Sequence, residues 1–170
     1  MCFLSNVYKG DQIMKEDENR LILGTAVFLT GRFSIEVKKS NKSEFGYTVD
    51  PKIFIISGND ERKMKYLTGI LRYFRMGWSP QKRWHVIVVT RYSDLMTLME
   101  ELFKIPSKTF TPAFNKTLRQ FYEVLEMYAE KQHYEKEGFF KILDLRQEFM
   151  PNAIPRKEWI EKNFGEIKNE

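Results

Sequence analysis

Polar and apolar residues alternate from Arg32 to Lys38 within the stretch Arg32–Lys39. Phe33, Ile35 and Val37 fall on one side; Arg32, Ser34, Glu36 and Lys38 fall on the other. That is the pattern of a strand with one buried face. Just upstream, Arg20–Leu29 reads as a buried helix carrying Gly24, Thr25 and Ala26. Gly24 lowers helix propensity by about 1 kcal/mol relative to alanine, which is tolerated where another backbone comes close. Gly31 breaks the helix. Met1–Glu18 is weakly periodic and reads as a flexible arm, with Asp17 or Asn19 as the cap of the helix after it.

A second strand is predicted over Phe45–Ser57, with Pro51 implying an edge position or a bulge. Its register is open, because Ile53, Phe54, Ile55 and Ile56 are apolar at every position. Ser57 or Asn59 would cap a helix over Asp60–Phe74, its core face Met64, Leu67, Leu71 and Phe74. Trp78–Arg83 and Trp84–Thr90 read as a hairpin. A third helix opens at Ser93-Asp94 and carries Leu95, Leu98, Met99 and Leu102. Pro106 and Pro112 bracket a loop. Helices follow over Ala113–Lys131 and Lys136–Met150. Pro151 and Pro155 mark a break before a short helix, Arg156–Phe164, expected to pack Trp159 on the body. The fold class is α+β: an αββαββαα core with a four-stranded antiparallel sheet, one face covered by helices and one free. The organisation is an arm over 1–19, a domain over 20–150 and an extension over 151–170.

The chain of 170 residues can bury a core without staples. Its only cysteine, Cys2, excludes a disulfide framework and suits a reducing compartment. No apolar run spans a membrane and no secretory signal opens the sequence, so a soluble intracellular protein is expected. The net charge is +5. From Arg62 to Arg91 there is no acidic residue, whereas the part after Phe121 is net acidic. Such a field suits a polyanion on one side; a basic hairpin beside a solvated helix face gives the same pattern.

Residues 23–35, LGTAVFLTGRFSI, resemble the LAGLIDADG motif of homing endonucleases followed by its first strand. The resemblance extends over residues 20–150. Phe45–Val49 and Pro51–Ile55 are similar to the family's second strand, and Tyr66–Phe74 with Gly77 to the helix after it. Glu137–Arg146 is similar to its closing helix. One motif per chain implies a homodimer in which two motif helices pack together. Gly24, Thr25, Ala26 and Phe28 would form that contact, although the same helix could be the buried spine of a monomer. The resemblance implies double-stranded DNA in the major groove against the free sheet face. Arg32, Ser34, Glu36, Lys38 and Ser40 would line it, with Gln81, Lys82, Arg83, His85 and Arg91 of the second hairpin. His85 and His133 have no second ligand at metal spacing and read as ordinary surface or packed residues.

The family's chemistry uses Mg²⁺ held by an acid directly before the motif glycine. Here that residue is Thr30, a neutral hydroxyl, and the other motif acid is replaced by Phe28. Lys116 is the candidate for the family's active-site lysine. Asp60 is a candidate displaced ligand, or simply a helix N-terminal acid. Three readings stay open: a DNA-binding protein impaired in cleavage, an active endonuclease with a rearranged site, and a maturase that binds intron RNA.

Overall fold

The alternation in the first strand is followed closely in the computed structural model, which describes residues 3–43, 46–58, 77–81, 84–153 and 157–163. Strand β1, Gly31–Lys39, lies antiparallel to β2, Tyr47–Gly58, with Phe33 opposite Ile53 and Val37 opposite Val49. β4, Trp84–Val89, pairs with the other side of β2, and β3, Gly77–Gln81, closes the sheet. The sheet is four-stranded and antiparallel, in the order β1-β2-β4-β3. The helix expected over 60–74 lies outside the described residues, as do Asp60, Lys82 and Arg83.

The register settles what the apolar run in β2 left open. Ile53 and Ile55 are fully buried, and Phe54 and Ile56 are on the opposite face, half-buried. Pro51 pairs with Ile35. The Ser40 amide donates to the Gly46 carbonyl at 2.8 Å. Counting back from that bond, hydrogen-bonded and non-bonded pairs alternate, so Pro51–Ile35 is a non-bonded pair. The Pro51 nitrogen therefore faces away from β1. On that side β4 has already ended, because its last partner for β2 is Val89, opposite Ile53. Proline removes no ladder bond there. The register also shifts between Ile56 and Gly58, an irregularity in β2 itself.

By the same alternation the Ile35 carbonyl points outward from the sheet edge. It accepts a hydrogen bond from Arg146 Nε at 2.7 Å. Arg146 is buried on α4, Lys136–Phe149, and desolvation holds its pKa below the ordinary value. An edge carbonyl that would otherwise be buried without a ladder partner is thus satisfied from the helix layer.

Helix α1 runs Phe3–Thr30. It therefore starts well before Arg20, and Asp17 and Asn19 lie inside it rather than capping it. Arg20 pairs with Asp17 at 2.5 Å on its own helix and with Glu101 at 2.7 Å on α2, Tyr92–Phe103, which holds this polar stretch against a neighbour. Leu23 and Val27, one turn apart, are buried. The chain passes from Thr30 straight into β1; a Cβ on Gly31 would collide with the Val27 carbonyl.

Helix α3, Pro112–Ala129, starts at Thr111, whose hydroxyl accepts from the Phe114 amide, with Pro112 in the first turn. Pro112 thus opens this helix rather than ending a loop. Leu118, Phe121, Val124 and Leu125 face the core. Phe33 of β1 lies 5.0 Å, centroid to centroid, from Phe121, joining sheet to helices. In the short α5, Lys157–Asn163, Ile160 is the residue that buries completely. Trp159, expected to pack on the body, is 51% exposed and sits one position round the helix from the inward face.

Candidate nucleic-acid interface

The sheet presents one row set to the helices and one away from them. On the outer face the rows run Lys38–Thr48, Glu36–Asp50, Ser34–Lys52 and Arg32–Phe54–Val88–Gly77. Arg32 and Lys38 are exposed; Ser34 and Glu36 are half-buried. Among the described residues Arg32 has no ion-pair partner. Ser40, half-buried, stands at the start of the β1–β2 turn, where its hydroxyl accepts from the Lys42 amide at 3.2 Å.

Four outer-face charges form a chain. Lys38 pairs with Asp50, Asp50 with Lys52 at 3.3 Å, and Lys52 with Glu36 at 2.5 Å. Burial works against the charge on Lys52, but Glu36 and Asp50 outweigh it and hold its pKa above the ordinary value. Two cations and two anions cancel, so this part of the face can offer directed donors and acceptors without a large net field. Lys52 and Asp50 were missed by sequence reading. The signal was the strand period itself, once Pro51 and Ile53 are known to face inward.

The second hairpin forms where expected, with β3 antiparallel to β4. Gln81 pairs with Trp84. His85 pairs with Gly58 and Pro80. Arg91 lies beyond β4: it is exposed and its carbonyl accepts from the Asp94 and Leu95 amides at the start of α2.

At the end of α1, Thr30 is half-buried and its hydroxyl donates to the Ala26 carbonyl at 2.9 Å. The oxygen is thereby tied to its own helix. Among the described residues no group of three or more His, Cys, Asp or Glu could hold a metal ion. The residues at this position do not fit a hard divalent cation, which needs carboxylate oxygens. Lys116 is on the outer flank of α3, paired with Glu148 of α4 at 2.9 Å. It lies about 200° round the helix from Phe114, through which α3 touches Phe28 at the end of α1.

The residues expected at a dimer contact divide into two groups. Gly24 is buried, and a Cβ there would collide with Ile105 Cδ1. Phe28 packs on Phe110 and Phe114 at 5.6 and 5.0 Å. Both are packed against residues of the same chain. Thr25 is exposed and Ala26 half-exposed. Beside them Leu21 is 50% and Leu29 70% exposed, which with Thr25 makes a stripe at four-residue spacing. The leucines were not singled out from sequence, because an apolar residue in an apolar helix carries no sign of which way it points.

No protein-family model and no curated protein matches the sequence. Solved structures do match. The homing endonuclease I-TnaI is 22% identical; the match covers 88% of this chain and 97% of that one, at a TM-score of 0.67. The group I intron-encoded homing endonuclease I-CeuI, solved with DNA, is 20% identical over 82% of this chain and 69% of its own, at 0.68. The LAGLIDADG meganuclease I-CpaMI, bound to uncleaved DNA, is 16% identical over 88% of this chain, at 0.67. The present chain spans only 49% of the length of I-CpaMI. The fold is that of the LAGLIDADG homing endonucleases.

Proposed function

We propose that this chain binds double-stranded DNA in the major groove through the outer face of its sheet, as a homodimer, and is impaired in metal-dependent cleavage. The observation that carries the reading is the row set of β1 and β2. Arg32, Ser34, Glu36, Lys38 and Lys52 stand on one sheet face with the helices on the other. A strand pair fits the major groove, and these side chain types hydrogen-bond base edges and phosphates. I-CeuI and I-CpaMI, which share the fold, were solved with DNA. Support for the impairment is Thr30, whose neutral, helix-bound hydroxyl supplies no charge for a metal. Support for the dimer is the stripe of Leu21, Thr25 and Leu29. Fully burying a leucine is worth about 1.5–3 kcal/mol, and a two-fold contact counts each residue twice.

The test is retention and cutting of a randomised duplex library with and without Mg²⁺ or Mn²⁺. Selective, salt-sensitive retention without cuts is expected. Metal-dependent cuts would overturn the impairment and leave DNA binding standing. Failure to retain duplex, with retention of intron RNA, would replace the reading with an RNA-binding one.

A further inference from the structure

The outer face has an apolar block that hydrogen bonding to bases leaves unused. In β2 the outward positions are polar at Thr48, Asp50 and Lys52 and then turn apolar at Phe54 and Ile56. Val88 and Val86 of β4 stand opposite them. Phe54, Ile56 and Val88 are half-buried; Val86 is buried yet lies outside the core cluster. A sheet face turned away from its helices is ordinarily polar, so four adjacent apolar residues there need an explanation. Two neighbours bear on it. Arg32, exposed and without an ion pair among the described residues, shares the row of Phe54 and Val88. Gly77 closes that row beyond Val88 and has no side chain to stand above it.

We propose that this block reads thymine methyl groups in the major groove, with Phe54 and Val88 as the contact residues and Arg32 gripping the adjoining guanine or phosphate. The inference rests on the DNA-binding reading and adds the base to it. Thymine alone carries a methyl group in the major groove, and apolar side chains are what recognise it. A cation on the same row favours a polyanion over an uncharged apolar partner. The recognised half-site should therefore be thymine-rich where it meets the row next to the end of α1.

The probes are the duplexes retained from the randomised library, each remade with deoxyuridine for thymidine at one position at a time. Uracil pairs as thymine does and lacks only the methyl group. The wild-type chain should bind about fourfold more weakly for each contacted methyl that is removed, the factor for one buried methylene-sized group. Phe54→Ser should lose that discrimination at one or more positions and Phe54→Leu should keep it. Val88→Ala, milder for the fold, should weaken it. Equal binding of thymine and uracil duplexes would overturn this inference and leave DNA binding intact. A uracil penalty untouched in both Phe54→Ser and Val88→Ala would overturn it too. Retention of no duplex would overturn both readings together.

Discussion

Glu36 Oε2 stands 2.5 Å from Lys52 Nζ across the β1–β2 ladder, on the face turned away from the helices. The pair occupies a lysine that would otherwise be ready for phosphate. Glu36→Gln should release it while Asp50 stays within 3.3 Å. Non-specific duplex affinity should rise and the log–log salt slope should steepen by about one. A salt titration with an unrelated duplex reads this directly; an unchanged slope would mean that Lys52 does not reach phosphate.

The stripe on α1 predicts an assembly that charge can split. Leu29→Glu should convert the dimer to a folded monomer, because Leu29 is 70% exposed within the single chain. Sedimentation gives the mass and circular dichroism the fold. A wild-type monomer at all concentrations would refute the contact.

His133 is buried, stacked on Tyr128 at 4.1 Å and against Tyr134 at 4.0 Å, and among the described residues neither ring nitrogen has a partner at full hydrogen-bond geometry. Desolvation lowers its pKa below 6.5, against a weaker opposing pull from the Tyr128 backbone. The folded state therefore binds this proton less readily than the unfolded one. The stability contribution is complete above pH 6.5 and falls away as the pH drops from there towards the folded-state value. One proton limits the loss to about 1.4 kcal/mol per pH unit. Denaturant melts across this range should show a shallower acid-side fall for His133→Phe than for the wild type; equal slopes would contradict the assignment.

Arg146→Met should keep the volume of the side chain but remove the donor to Ile35. A hydrogen bond from a charged donor contributes about 1.5–3 kcal/mol, and the loss should approach the upper value because the carbonyl is left without its partner. The midpoint of urea unfolding should fall accordingly. A midpoint within error of the wild type would show that water replaces the guanidinium at the sheet edge.

Much of the fold was legible because its signals are local. The β1 alternation, the Ser93-Asp94 start and the spacing Leu95, Leu98, Met99, Leu102 each specify an element within a few residues. The start of α1 was not legible: Lys15–Asn19 is polar throughout, and Arg20 ties that stretch to Glu101, far away in sequence. Small residues announced a close approach on α1 without naming the neighbour, and for Gly24 the neighbour is Ile105 of the same chain. The site was readable on β1, where period fixes face. On β4 the strand was legible but its partners were not, because the pairing with β2 shifts register between Ile56 and Gly58. Nor could spacing foresee that Lys116 of α3 pairs with Glu148 of α4.

The bond between Arg146 and Ile35 spans 111 residues. On a ribosome adding about 5–20 residues per second, β1 emerges roughly 6–22 seconds before the arginine that covers its edge. Through that interval the strand can pair with any other nascent chain. Crowded synthesis on one messenger should therefore be the step at which this protein most needs a chaperone, and slowing translation after β2 should lengthen the exposure.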